Sequence, residues 1–239
     1  MRALIFSAAL IALAGCAASP SRSVASNSSV DKVLEAAMQA NMPDVALRMA
    51  TEQVERNPQD STALTREADA YRAMGRDAAA EAAYRRALII SPENSRAQLG
   101  LGSALLHRDP AAAEVAFRQV LTHQPQNPTA LTGLGVSQDL RGDHRAAQTS
   151  YRAALAAQPD LRAAQIDLGL SLALSGQSNE ALALLQPAAG DPQTTRRERD
   201  DLAVAMAAAG RTDEARRILG EEMSNEDAST TLAAYRQLF

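Results

Sequence analysis

The sequence has few aromatic residues, no tryptophan and a single cysteine, and each shortage excludes a class of protein. Aromatic residues make up only 3% of its 239 residues. One thiol excludes an intramolecular disulfide framework and a cysteine-rich zinc site. The formal net charge is −4, so the chain has no excess of basic residues for a nucleic-acid-binding surface. We therefore expect no nucleic-acid partner.

The apolar content that remains points to helices. Hydrophobic residues make up 46% of the chain, enough to bury a core. Because aromatics are scarce, this fraction consists mostly of alanine and leucine, which lose little free energy on entering a helix. Strands favour β-branched and aromatic residues instead. The composition therefore predicts an all-α fold.

The N-terminus predicts a signal peptide over residues 1–15. A single basic residue, Arg2, precedes an apolar run over residues 3–14. That run is too short to span a bilayer, which needs about 20 residues, but it fits the apolar region of a signal peptide. It ends in Leu13-Ala14-Gly15-Cys16, which resembles the lipobox of bacterial lipoproteins. The alternative is a buried helix that carries an incidental cysteine.

The lipobox resemblance implies that Cys16 is diacylated through a thioether, cleaved on its N-terminal side and then N-acylated. Residue 17 is alanine rather than aspartate, and in bacterial lipoproteins this implies an outer-membrane anchor facing the periplasm. Several acyl chains on one residue give stable anchoring. The serine-rich stretch that follows has no helical periodicity. We therefore predict a lipidated, disordered tether over 16–29, with a reach of roughly 20 Å.

The rest of the chain repeats itself with spacings of 33 or 34 residues. Alanines recur at Ala46, Ala80, Ala113, Ala147, Ala181 and Ala215. Four residues after each of them come Ala50, Tyr84, Phe117, Tyr151, Leu185 and Leu219, and eight residues further Pro58, Pro92, Pro125 and Pro159. Two more features share a phase: the glycines Gly75, Gly142, Gly176 and Gly210, and the pairs Leu101-Gly102, Leu134-Gly135 and Leu168-Gly169.

This pattern resembles the tetratricopeptide repeat (TPR), which pairs Leu-Gly in a first helix with Ala-x-x-x-Phe and then Pro in a second. The resemblance implies a right-handed solenoid of helical hairpins over residues 30–222. The repeats are 61–94, 95–127, 128–161, 162–195 and 196–222, after a degenerate unit at 30–60. Repeat 95–127 departs from the pattern, because it is one residue shorter and has Asp109-Pro110 where a glycine is expected. We predict a C-terminal helix over 223–239 that caps the array or docks a partner.

The repeated residues have physical roles in this arrangement. The glycines of the Gly75 phase suit the left-handed conformation that ends a helix. Glycine inside a helix costs about 1 kcal/mol relative to alanine, so Gly102 and Gly135 indicate close helix packing. Short polar residues follow the turn glycines and are predicted to cap the next helix: Asp77, Asp143, Asn179 and Asp213.

No catalytic set of residues is present in the pattern, and we predict no enzyme, cofactor, metal or small-molecule substrate. His107, His123 and His144 fall at helix ends and are predicted to be surface residues. Gly100-Leu101-Gly102 lies inside a helix with no preceding strand, which excludes a dinucleotide-binding loop. We predict that the mixed charge run 196–201 is the solvated start of a helix. The alternative is that its arginines bind an acidic partner.

The resemblance also predicts a protein-binding groove, since TPR proteins use first-helix positions 2, 5, 9 and 12 to line their concave face. Exposed apolar patches usually mark binding sites, and an amphipathic helix or extended apolar peptide would fit. The alternative is that the chain's own tail or curvature covers these residues. The candidates are Leu99, Ser103, Leu106, Thr132, Val136, Asp139, Ile166, Leu170, Ala173, Asp200, Val204 and Ala207.

The whole chain also resembles TadD-type lipoproteins of the tight-adherence (Tad/Flp) pilus assembly system. The resemblance lies in length, signal, serine-rich tether, repeat placement and the ending over 234–238. It implies a lipid-anchored scaffold at the outer membrane that supports assembly of a secretin, with secretin or other pilus components as partners. The alternatives are a type IV pilus pilotin and a general envelope scaffold that recruits peptidoglycan or outer-membrane assembly factors.

Overall fold

The fold is a series of twelve α-helices within the residues that this computed structural model describes, which are 22–189, 191, 194–220 and 230. No strand occurs among these residues, so the all-α prediction is confirmed. The helices are α1 (Arg22–Gln39), α2 (Pro43–Arg56), α3 (Ser61–Ala73), α4 (Asp77–Ile90), α5 (Ser95–Leu105), α6 (Pro110–His123), α7 (Pro128–Asp139), α8 (His144–Ala157), α9 (Arg162–Leu174), α10 (Ser178–Ala189), α11 (Arg196–Ala208) and α12 (Thr212–Gly220).

The predicted tether over 16–29 and the predicted C-terminal helix over 223–239 each include only some of the described residues. Helix α1 begins at Arg22, earlier than the boundary predicted at residue 30, and no proline or glycine between Pro20 and Pro43 interrupts it. The signal segment 1–15 and Cys16 lie outside the described residues. So does the predicted C-terminal helix over 223–239, apart from Thr230.

Glycines end four of the first helices, as the sequence predicts. Gly75, Gly142, Gly176 and Gly210 have φ values of 69°, 79°, 81° and 86°. After each glycine, the next backbone N–H donates to a carbonyl five residues earlier, as Arg76 does to Tyr71 at 2.9 Å. This is the hydrogen bonding of a Schellman motif, in which a left-handed residue satisfies the last carbonyls of a helix.

The capping prediction is wrong for Asp77 and Asp143, two of the residues that follow these glycines. Asp143 occupies the N-cap of α8 but makes no capping hydrogen bond, and Asp77 lies inside α4 as its first residue. Three of the caps that do form lie two residues after the repeat prolines, at the starts of first helices. There the side chains of Asp60, Asn94 and Asn127 accept hydrogen bonds from free backbone N–H groups of α3, α5 and α7.

The helices pair into hairpins, and the hairpins stack. Each of the first helices α3, α5 and α7 packs mainly against the second helix of its own hairpin and that of the preceding one. The buried residues form clusters that follow one another along the chain rather than one central core. This is the arrangement of a solenoid, in which each repeat contacts only its neighbours.

Aromatic rings pack against the backbone of glycines between the hairpins. The ring of Phe117 on α6 lies between Gly102 on α5 and Gly133 on α7. A Cβ atom at Gly102 or Gly133 would lie 2.8 Å or 2.4 Å from the ring carbons of Phe117. These distances are too short for any side chain, so the absence of one makes room for the ring.

The last hairpin departs from this stacking. Helix α11 packs more closely against α9 than against α10. The connection between α10 and α11 spans six residues, 190–195, whereas the earlier connections into a first helix span four. Pro187 also lies inside α10, where it cannot donate a backbone hydrogen bond. These differences accompany the close packing of α11 against α9.

Candidate protein-binding cavity

A cavity of about 410 Å³ lies on the face that the first helices of the first three hairpins form. This face is called the inner face below. Helices α1, α3 and α5 form its walls, and the first turn of α7 closes one end. Its volume lies within the range of about 300–1,000 Å³ that is usual for ligand pockets. The lining residues are Asp31, Leu34, Glu35, Met38, Gln39, Arg66, Asp69, Arg72, Arg96, Leu99, Gly100, Ser103 and Thr129.

Ion pairs between neighbouring helices connect the walls of this cavity. Arg66 of α3 lies 2.7 Å from Asp31 of α1, measured between Nη1 and Oδ1. Arg96 of α5 donates through Nε to Oδ2 of Asp69 of α3 at 2.8 Å. Asp69 also accepts a hydrogen bond of 2.5 Å from the Tyr84 hydroxyl. Burial raises the pKa of Tyr84, and the charge of Asp69 adds to the rise, so the hydroxyl stays a donor.

Two of the residues predicted for the groove line this cavity, namely Leu99 and Ser103. Others are half-buried on the first helices further along the chain. Among them, Leu106 packs against the core around Phe117, and Thr132 donates to the carbonyl of Pro128 at 2.8 Å. The half-buried residues outside the cavity are Leu106, Thr132, Val136, Asp139, Leu170 and Asp200.

The groove prediction is wrong for the C-terminal part of the array. Ile166 is only 2% exposed and belongs to a core cluster with Leu202 and Met206 of α11. Leu170 packs against the same cluster. Helix α11 therefore covers the inner face of α9, which agrees with the alternative that the chain itself covers these residues. Three further predicted groove residues are buried: Ala173, Val204 and Ala207.

The sequence interpretation missed the charged residues of the cavity. Asp69 and Arg72 occupy positions 9 and 12 of repeat 61–94, and Arg96 occupies position 2 of the next one, all of which the resemblance assigns to the concave face. The same rule would have found them if it had been applied to the first full repeat. Arg66 lies at position 6, which the rule does not include.

A polar network around Asp139 joins the third and fourth full repeats. Asp139 accepts hydrogen bonds from Tyr151 at 3.0 Å and from Ser171 at 2.8 Å, and His144 Nδ1 lies 2.8 Å from Oδ1. The Ser171 hydroxyl bonds to the carboxylate rather than to the imidazole, and Ser171 is fully buried. This differs from a nucleophile activated by a histidine base. His144 is half-buried, so the surface prediction holds only for His107 and His123.

Two glutamates with largely buried side chains connect second helices of the hairpins to the turn after the next first helix. Glu114 of α6 accepts hydrogen bonds from Arg118 one turn later at 2.6 Å and from Arg141 in the turn after α7. Only 12% of its side chain is exposed. Burial raises the pKa of Glu114, but the hydrogen bonds from the two arginines outweigh it and hold the pKa below its ordinary value. Glu81 pairs with Arg85 and Arg108 in the same way.

Replacing Glu114 by glutamine should lower the free energy of unfolding at pH 6 by about 1–3 kcal/mol, because charge-assisted hydrogen bonds are lost. A lowered folded-state pKa contributes stability above the unfolded-state pKa, and this stability is lost as the pH falls through the folded-state pKa. The difference between wild type and Glu114→Gln should therefore shrink below about pH 4.5. Urea unfolding at pH 6 and pH 3.5 measures it.

Glu93 provides the matched control, since it is exposed in the turn before α5 and makes no ion pair among the described residues. Glu93→Gln should change the free energy of unfolding by less than about 0.5 kcal/mol at either pH. An equal loss in the two variants, or a Glu114→Gln effect that does not depend on pH, would contradict the account of this ion pair.

The stacked hairpins and the cavity on their inner face define a helical-repeat scaffold for protein interactions. A model of the tetratricopeptide repeat family matches residues 35–95, 65–109 and 140–193, which together exceed half of the chain. The chain therefore belongs to the tetratricopeptide repeat family, and the predicted fold class is confirmed. A comparison with curated protein sequences finds no match.

Solved structures of other repeat proteins have the same fold. PilW, described as a widely conserved type IV pilus biogenesis factor, is 21% identical with a TM-score of 0.72, over 88% of this chain and 98% of PilW. A tetratricopeptide repeat protein from Parabacteroides merdae is 16% identical with a TM-score of 0.69, over 87% of this chain and 83% of that one. MamA is 21% identical with a TM-score of 0.57, over 65% of this chain and 92% of MamA.

Neither a membrane span nor a metal-binding cluster occurs in the described part of the chain. None of the described helices combines the length and the apolar character that crossing a bilayer requires. No group of three or more histidine, cysteine, aspartate or glutamate residues there is placed to hold a metal ion.

Proposed function

We propose that the chain is an outer-membrane lipoprotein that binds protein partners during assembly of a Tad/Flp-type pilus and supports its secretin, as a TadD-type protein would. The observation that carries the binding role is the cavity of α1, α3 and α5, where apolar and charged side chains meet on an open inner face. Membrane anchoring rests on the sequence that ends in Cys16. We propose a binding role rather than a catalytic one.

The anchoring part of this proposal has a direct test. Cells that express the chain with a C-terminal tag are grown with labelled palmitate, and their inner and outer membranes are separated. Wild-type protein should carry the label and fractionate with the outer membrane, whereas Cys16→Ser should lose both properties. Unlabelled wild-type protein, or an unchanged location of Cys16→Ser, would contradict a lipid anchor at this residue.

The pilus role is tested by deletion and complementation in the source bacterium. Deletion should abolish surface pili and reduce the amount of secretin multimers, and wild-type protein should restore both. Leu99→Glu, which changes the cavity, should fail to restore them, whereas Val115→Glu should succeed because Val115 is 57% exposed on α6 and does not line the cavity. Normal pili in the deletion strain would contradict the proposal.

A type IV pilus pilotin is the second candidate, and the likeness to PilW over 98% of its length favours it. The same deletion strain separates the two candidates, because a pilotin would be needed for retractile type IV pili rather than for Tad/Flp pili. A strain with both kinds of pili intact but with altered cell-wall composition would instead support a general envelope scaffold.

A further inference from the structure

Charged side chains make up much of the lining of the cavity, and most of them are paired with each other. Arg66 pairs with Asp31, and Arg96 pairs with Asp69. These two ion pairs bridge α1 to α3 and α3 to α5, so they hold the walls together and leave no net charge. They are therefore structural parts of the cavity rather than free recognition groups.

Two charged residues of the lining remain outside these pairs. Arg72 lies in the last turn of α3, and no carboxylate of the described residues lies within salt-bridge distance of it. Glu35, on α1, has no cationic partner among the described residues either. Both side chains are exposed, and both line the same cavity. Among the described residues that line the cavity, one cation on α3 and one anion on α1 thus have no partner of opposite charge.

Apolar side chains lie in the same cavity as these charges. Leu34 and Met38 come from α1, and Leu99 comes from α5. On α5, Gly100 has no side chain, and a Cβ atom there would lie 2.2 Å from the ring of Tyr84. The ring of Tyr84 therefore fills the space beside Gly100, and the apolar surface open to a bound segment of polypeptide is that of Met38 and Leu99.

We infer that the cavity binds a polypeptide segment that carries one acidic and one basic side chain with apolar residues between them. The acidic side chain pairs with Arg72 and the basic side chain pairs with Glu35, while the apolar residues contact Leu99 and Met38. Complementary charges of this kind fix the register and direction of a bound segment more than they add affinity. The inference rests on the proposed binding function and deepens it.

The test is a selection of random dodecapeptides displayed on phage, with the purified full chain in detergent micelles as the target. Wild-type protein should enrich peptides with one acid and one base on either side of apolar residues. Arg72→Glu should lose the preference for the acid and bind the best wild-type peptide at least about tenfold more weakly, the loss expected for one charge-assisted hydrogen bond. The double variant Arg72→Glu with Glu35→Arg should enrich the two charges in the reverse order.

Arg86→Glu is the matched control, because Arg86 is exposed on α4 and does not line the cavity. It should select the same peptides as wild type, and all variants should have the wild-type circular dichroism spectrum and melting temperature. An unchanged preference in Arg72→Glu, or no reversal in the double variant, would overturn the inference.

The outcome also separates this inference from the proposed function. If wild type enriches apolar peptides without a charge pattern, and Leu99→Glu abolishes their binding, the cavity is a binding site and only the charge inference fails. If Leu99→Glu leaves the binding of every selected peptide unchanged, or if wild type selects no peptide, the proposed use of the cavity fails as well.

Discussion

Replacing Phe117 by alanine should lower the free energy of unfolding by about 3–5 kcal/mol, the cost usual for removing a buried aromatic side chain. The ring is 2% exposed and fills the space that Gly102 and Gly133 leave between α5 and α7. Its loss opens a cavity between two consecutive hairpins. Because a solenoid is held together only by contacts between neighbours, both hairpins should be weakened. Urea unfolding followed by circular dichroism measures the effect.

A substitution of Gly133 tests whether the effect of Phe117→Ala arises from the contact between the ring and this glycine. Gly133→Ala alone should destabilise by about 1–3 kcal/mol through overpacking against the ring, although alanine favours an exposed helix by about 1 kcal/mol. In the Phe117→Ala background the same glycine substitution should be neutral or stabilising, because the clash is gone. This double-mutant cycle isolates the contact.

Val115→Ala on the same helix is the control and should cost less than about 0.5 kcal/mol, since Val115 is largely exposed. If Phe117→Ala costs no more than Val115→Ala, or if Gly133→Ala costs the same in both backgrounds, then the ring and the glycine do not share one packing site.

The sequence predicts this packing because its physical causes are local and repeated. A glycine inside a helix is costly, so its recurrence in phase with a bulky residue of the next helix indicates that the two meet. Gly142 and Gly176 are predictable for the same reason, since their left-handed φ values suit glycine far better than other residues. Signals that recur in most of the repeats thus identify the helix ends and the core.

The cavity was only partly predictable, because its chemistry is not repeated. Position 12 is Arg72 in one repeat and Leu106 in the next. The position of a residue in the repeat therefore predicts which side of the helix it lies on, but not which residue it contacts. The pairing of Asp69 with both Arg96 and Tyr84 depends on the approach of three helices. Pairwise contacts of this kind have no signature in the spacing of residues along the chain.

The closure of the groove at α9 was not predictable from the repeat at all. It occurs where the connection into a first helix is six residues long, between α10 and α11, instead of the four residues of the earlier repeats. Arg162 of α9 donates to Thr194 at 2.9 Å and pairs with Asp191, so these two residues lie against the start of α9. The side chain of Thr195 then caps α11 together with Glu198. A departure from a repeat shows that the geometry changes but not in which direction.

Replacing Ile166 by glutamate should therefore have a large effect on folding, more than about 4 kcal/mol, because it places a carboxylate in a core with no partner. Ile166 lies in one cluster with Leu185 of α10 and with Leu202 and Met206 of α11. The last two hairpins should lose helicity, and the melting temperature should fall sharply. Circular dichroism and hydrogen exchange across α9–α12 measure both.

Leu99→Glu is the matched comparison, since Leu99 occupies the same repeat position on α5 but lines the open cavity. Its half-buried side chain places the new carboxylate at the edge of solvent, so the melting temperature should change far less than in Ile166→Glu while peptide binding is lost. Equal, small effects in the two variants would mean that the inner face is an open groove along its whole length and that α11 does not cover α9. The contrast between them therefore tests where the binding surface ends, because the same charge at the same repeat position is tolerated only where the face is open.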